Sequence, residues 1–164
     1  LYEPFGKRWA IGGTVNQLRK RDYDRSFKHL KYETTTAYLS FYYATPFYNL
    51  DLGVHAGRYL AKDDGYTVEM RRSFDNGFSM GAFFTRTNVP AEIFGEGSFD
   101  KGLFFKIPLN AILPRNTKGS YSTIMRPTER DGGRKLDNFS NVLWWERRNV
   151  RYDALQNNRD RMIP

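Results

Sequence analysis

Apolar and polar residues alternate with a period of two along most of this chain, and that alternation limits its fold more than any other feature. Trp9, Ile11, Gly13 and Val15 alternate with Ala10, Gly12, Thr14 and Asn16. Ala37, Leu39, Phe41 and Tyr43 alternate with Thr36, Tyr38, Ser40 and Tyr42, and Leu50, Leu52, Val54 and Ala56 with Asp51, Gly53, His55 and Gly57. Further runs cover Tyr66 to Arg71, Phe78 to Thr85 and Leu103 to Leu109, with weaker ones near Tyr121 to Arg126 and Phe139 to Glu146. A repeat of two is that of a β-strand, whose successive side chains point to opposite faces; a helix repeats at 3.6. The pattern predicts an all-β fold, an antiparallel up-and-down meander of about eight strands. The β domain is expected over 1–146, with a polar basic C-terminal tail over 147–164 that carries five Arg and two Asp.

Turn chemistry separates the runs. Asp63-Asp64-Gly65, Asp75-Asn76-Gly77 and Asp131-Gly132-Gly133 place Asp, Asn and Gly where a hairpin needs positive φ, and Pro46 sits between the second and third runs. The connections around Asp22 to Lys31 and Asn88 to Phe99 are long, whereas those around Pro46 and Asn76 are short. In a meander, the two long connections fall at one end and the two short ones at the other. Outer-membrane barrels have this asymmetry, although Asp63 to Gly65 is a short connection at the long-loop end and Asn110 to Gly119 a longish one at the short-loop end.

Strand length and polarity point the same way. Several runs reach about 10–12 residues, against roughly 5–6 for a soluble strand and about 9–11 for a transmembrane one. One face is apolar; the other carries Thr, Ser, Gly, Asn, Asp, Glu, Arg and Tyr, which suits the polar interior of a membrane barrel. These features suit a membrane β-barrel, or part of one, with outer-membrane lipid as a partner; a soluble sandwich shows the same alternation with the opposite sense, so the period alone does not decide between them. Leu39, Phe41, Leu52, Val54, Met80, Phe84, Phe105 and Ile107 are expected to face out, and Thr36, Ser40, Asp51, His55, Glu69, Arg71 and Thr85 to face in. A soluble barrel would reverse the two sets.

Composition excludes several classes. Phe, Tyr and Trp number 27, more than the 25 Leu, Ile and Val, an excess typical of twisted sheets and oil–water interfaces. With no Cys and two separated His, the chain offers no disulfide framework, iron–sulfur cluster, thiolate zinc site or His-rich metal centre, and no cofactor is expected. The longest charge-free stretch, Thr34 to Leu50, holds four Tyr, four Thr and Pro46, too polar for a spanning helix. The chain starts at Leu1, as expected of a processed or excised piece. A net charge of +8 suits an anionic partner such as a lipid headgroup or acidic polysaccharide. Nothing in the sequence resembles an RNA-recognition or oligonucleotide-binding motif, so no nucleic acid is expected.

The most distinctive string is Phe94-Gly95-Glu96-Gly97-Ser98-Phe99-Asp100-Lys101-Gly102. It lacks the third glycine of a dinucleotide fingerprint and the Gly-Lys-Ser/Thr of a P-loop. Glu92, Glu96 and Asp100 are oxygen donors without EF-hand spacing, and a glycosidase acid pair among them depends on a separation that sequence does not give. No nucleophile signature accompanies either His. The reading is a structural plug or constriction first and a polymer contact second, with Phe94 and Phe99 as anchors and Glu96, Asp100 and Lys101 turned to lumen Arg or Tyr groups; Glu92 is a further candidate in this loop. His55, Glu69 and Arg71 are the lumen-facing candidates, and internal salt bridging is the expected role of strand Arg residues. Of Trp144 and Trp145, one is expected to face lipid in an aromatic girdle.

The stretch Ser79 to Gly102, with Ile107-Pro108-Leu109, Tyr121-Ser122-Thr123-Ile124-Met125-Arg126-Pro127 and Arg130-Asp131-Gly132-Gly133, resembles the C-terminal region of the YjbH/GfcD family. The resemblance implies an outer-membrane β-barrel associated with exopolysaccharide or group 4 capsule production in Gram-negative bacteria. It implies no catalytic residue, and it marks this chain as part of a longer protein. The expected function is a non-enzymatic component of exopolysaccharide or capsule secretion or assembly, with polysaccharide and other secretion proteins as partners. Two alternatives stay open: a soluble lectin-like module for anionic glycans, and a glycan-modifying enzyme using Glu92, Glu96 or Asp100.

Overall fold

A computed structural model describes residues 1–21, 29–88, 99–111, 113, 117, 119–127, 133, 135 and 139–157. Seven strands form one sheet: β1 (Trp9–Arg21), β2 (His29–Ala44), β3 (Leu50–Arg58), β4 (Asp64–Ser73), β5 (Ser79–Thr87), β6 (Phe99–Pro108) and β7 (Ser120–Met125). Each pairs antiparallel with its sequence neighbours in the order β1 to β7, which is the expected meander. β1 and β7 end the sheet, and Tyr2 bridges to Ile11 on the β1 side.

The turns follow the local chemistry. Asn76-Gly77 closes β4–β5, with Gly77 at φ 84° and the Asn76 side chain accepting from the Phe78 N–H. Tyr48 and Asn49 take positive φ between β2 and β3. In β3–β4 the turn falls just before the Asp-Asp-Gly signal: Lys62 adopts φ 66°, the Tyr59 N–H donates to the Asp63 carbonyl, and Asp64 already belongs to β4.

The last run departs from expectation. Phe139–Glu146 is not an eighth strand but helix α1; a 3-10 turn over Arg147–Val150 and helix α2 (Tyr152–Asn157) follow it. A strand would send Trp144 and Trp145 to opposite faces, whereas helix neighbours lie about 100° apart and can share one surface. Both indoles are buried, Trp144 stacked on Tyr42 at 5.4 Å and Trp145 edge-on to it at 6.0 Å. Neither belongs to an outer girdle. From α1, Trp144 reaches Tyr42 of β2, Trp145 lies 4.5 Å from the Arg71 guanidinium of β4, and Glu146 pairs with Lys106 of β6. A short helix meets alternate strands in this way because the sheet curls into a half-barrel around it.

The curl buries the polar face. Thr36, Ser40, Asp51, His55, Thr67, Thr85 and Asp100 are buried, whereas Ile11, Val15, Leu39, Phe41, Val54, Met70, Met80, Phe84 and Leu103 are exposed. Leu52, Phe105 and Ile107 are half-buried on the outer side. Side-chain direction thus matches the sequence expectation and inverts the usual soluble arrangement, in which aliphatic residues fill the interior. On the outer face of β4 the apolar residues Tyr66, Val68 and Met70 lie between Asp64 and Arg72, a span of ~26 Å at about 3.3 Å per residue.

Inner hydroxyls satisfy one another across strands. Thr67 and Thr85 hydroxyls bond at 2.7 Å, and Tyr59 Oη meets Thr67 Oγ1 at 2.5 Å. Burial pushes the Tyr59 phenol up from 10.0 to about 12, against the opposing effect of that bond. Between those two values the folded chain keeps a proton that the unfolded chain releases, so stability falls as pH rises through the window. Tyr59→Phe is expected to flatten this alkaline loss, and unfolding midpoints measured from pH 9 to about 12 check it.

Candidate functional site

The inner face holds two polar clusters and a cavity. In the first cluster His55 Nδ1 shares a hydrogen bond with Ser40 Oγ at 2.8 Å, and its Nε2 lies 3.3 Å from Glu69 Oε1. Glu69 also pairs with Lys135, while the Gly133 N–H donates to Asp63 Oδ2 at 2.8 Å. These contacts fasten Gly133 and Lys135 to the β3–β4 turn and to β4. In the second cluster Asp51 of β3 accepts from Arg151 Nη2 at 3.0 and 3.2 Å and from Arg148 Nη1 at 3.3 Å. The Arg151 side chain is 0% exposed and lies 4.0 Å over the Trp144 ring. An ion pair this deep is geometrically fixed but stabilises little relative to an apolar pair, because desolvation offsets the attraction.

The cavity, of about 460 Å³, lies between β4–β7 and α1 and is bordered by Arg71, Phe83, Asp100, Phe104, Arg126 and Trp145. Two glycines make its walls. A Cβ on Gly81 would stand 2.2 Å from Phe104 Cζ, and one on Gly102 would stand 2.7 Å from Phe83 Cε1. Each glycine faces the phenylalanine of the neighbouring strand in register, so the ring lies across the gap left by the missing side chain. Arg71 is held 4.8 Å from the Phe104 centroid and 4.5 Å from that of Trp145; Arg126 lies 5.2 Å from Phe83. Asp100 Oδ2 faces Arg126 Nε at 3.5 Å.

The residues singled out from sequence divide into three groups. His55, Glu69 and Arg71 turn inward, the first two in one cluster and Arg71 at the cavity. Asp100 also turns inward, to Arg126, whereas Lys101 is exposed on the opposite face, 5.8 Å from the Phe99 ring. Adjacent strand residues cannot share a face, so only one of the two could reach the lumen. Glu92 and Glu96, with Phe94 to Ser98, lie outside the described residues. Among the described residues no cluster of acids and His has the makings of a metal site.

Sequence reasoning missed Arg148, Arg151, Arg126 and Lys135. Each reaches its acid through tertiary packing, in the Asp51–Arg151 case across 100 residues of chain. A signal for Phe83 and Phe104 was present: both are aromatics on the polar-face parity, each opposite a glycine.

Residues 1–146 match the YjbH family, described as "Exopolysaccharide biosynthesis protein YbjH". The uncharacterized lipoprotein YjbH of Escherichia coli (strain K12) is 36% identical over 141 residues, covering 83% of this chain and 20% of that protein. The chain thus spans about a fifth of the length of this curated relative. No solved structure matches it. With a family match over most of its length and a relative at this identity, the chain belongs to the YjbH family of exopolysaccharide biosynthesis proteins.

Proposed function

We propose that this chain is a wall segment of an outer-membrane β-barrel with a non-enzymatic role in exopolysaccharide or capsule secretion or assembly. The observation that carries the reading is the inverted polarity of the sheet: exposed aliphatic and aromatic residues outside, buried hydroxyls and ion pairs inside. Lipid is the solvent that favours this arrangement, because in water the outer face would be an apolar patch far larger than a stable monomer exposes. The length of the strands, 9 to 16 residues from β1 to β6, supports a membrane-crossing wall. The relative's description as a lipoprotein fits an envelope location, and the family's association supplies the polymer. Among the described residues β1 and β7 do not pair with each other, and in this reading further strands close the wall, which fits the greater length of the relative.

The test uses the full-length protein in its own cell. It is expected to float with outer-membrane vesicles after an alkaline wash, and its deletion is expected to lower the amount or shorten the length of secreted polymer. Release of the washed protein into the soluble fraction, or unchanged polymer in the deletion strain, overturns the reading. Glu92→Gln combined with Glu96→Gln is expected to leave polymer output intact; loss of output with normal membrane insertion favours a glycan-modifying enzyme instead.

A further inference from the structure

We propose that the cavity between β4–β7 and α1 binds a carboxylated sugar unit of an acidic polysaccharide, with Arg71 holding the carboxylate and Asp100 accepting a sugar hydroxyl. This deepens the export reading above and rests on it. At about 460 Å³ the cavity falls within the ~300–1,000 Å³ common for small-ligand sites.

The charge pairing at its wall selects the ligand. Glu69 pairs with Lys135, Asp100 with Arg126, and Glu146 with Lys106. Arg71 is then the remaining cation, with no ion pair among the described residues. Its register neighbour Asp51 would be the obvious partner, but Asp51 is taken by Arg151 and Arg148. The Phe104 and Trp145 rings position the Arg71 guanidinium, and its Nε is buried without a hydrogen-bond partner. Across the cavity, Asp100 is 5% exposed; its Oδ2 faces Arg126, while its Oδ1 is buried and also unpartnered.

Among the described residues, a buried donor and a buried acceptor are both left without partners, which is costly in a low-dielectric interior. A molecule seated in the cavity meets both side chains, with a carboxylate for the guanidinium and a hydroxyl for the aspartate. Arginine suits the carboxylate because its planar N–H groups match two oxygens. A bare anion such as phosphate is disfavoured, since it brings its negative charge toward the Asp100 carboxylate. A neutral sugar offers the guanidinium no ion pair, and the Glu69, Asp51 and Glu146 carboxylates act on it only from beyond ion-pair distance. The aromatic wall of Phe83 and Trp145 offers the apolar surface that sugar C–H faces pack against, and Ser120 and Ser122 add hydroxyls on the β7 side.

The experiment titrates the full-length protein, folded in detergent micelles, with glucuronic-acid oligosaccharides, glucose oligosaccharides of equal length and inorganic phosphate. Intrinsic fluorescence is the readout, because Trp145 borders the cavity. Saturable binding of the glucuronic-acid ligand, at least tenfold tighter than glucose or phosphate, is expected. Arg71→Gln is expected to weaken it at least tenfold. Ser122→Phe, at an exposed position on the cavity side, is expected to block it without disturbing the buried ladder. Equal binding of glucose oligosaccharides or of phosphate overturns the ligand class, and wild-type binding by both variants overturns the site. A protein that floats with the outer membrane and sustains polymer output, yet binds no glucuronic-acid ligand, overturns this proposal and leaves the export reading standing. Glucuronic-acid binding by a protein that does not float supports the site and overturns the export reading.

Discussion

Replacing Arg151 by Met is expected to destabilise the fold by about 3–5 kcal/mol, toward the lower end because Arg148 remains near Asp51. The loss arises from stranding a buried carboxylate, not from removing a strong attraction: an isolated ionised acid in a low-dielectric interior is costly, and its protonation recovers only part of the cost. The double variant Asp51→Asn with Arg151→Met is therefore expected to be more stable than Arg151→Met alone. Urea unfolding of the detergent-folded full-length protein, followed through the fluorescence of Trp144 beside Arg151, checks both. If the single variant unfolds with the wild-type midpoint, the pair does not anchor the C-terminal helices. A loss of this size is a large fraction of the ~5–15 kcal/mol by which proteins are stable, and it would release α1 from the inner face.

Val54→Arg is expected to cost about 2–4 kcal/mol in the membrane and close to nothing in water. Val54 is exposed on the outer face of β3, flanked in register by Phe41 of β2 and Val68 of β4, so its neighbours on both sides are apolar. In the proposed lipid-facing wall, an arginine there sheds water at the middle of the apolar band, whereas one near the end of a strand, such as Arg58 beside Asp64, is placed to reach the headgroups. The fraction of folded protein recovered in the outer membrane is expected to fall sharply for Val54→Arg and to stay near wild type for Val54→Leu. Wild-type recovery of Val54→Arg would mean that this face meets water or protein, not lipid.

Most of the wall was legible in the residues. Thr36, Ser40, His55 and Thr85 share a parity along their strands, and that parity sets which side each occupies whatever the rest of the chain does. Phe139–Glu146 was misread because a short apolar run suits strand or helix equally, and because two adjacent tryptophans carry no period of their own. The basic residues after it looked like a solvated tail, yet Arg151 became one of the most deeply buried side chains in the protein. Of the charged residues singled out around the glycine-rich string, Asp100 reached the cavity because it falls on the inner parity of β6; Lys101, one step on, fell outside.

The sequence by itself determined the strands β1 to β7, their antiparallel order and the side on which their alternating residues stand, since those depend on a local repeat of two and on short turns. The tertiary structure alone decided that the sheet curls around the C-terminal helices, that Asp51 belongs to Arg151 and not to its strand neighbour Arg71, and that Arg71 and Asp100 face one cavity. Those outcomes depend on contacts between residues tens of positions apart. Such contacts form only when the curled sheet excludes water and each buried charge must settle on the partner that best satisfies it.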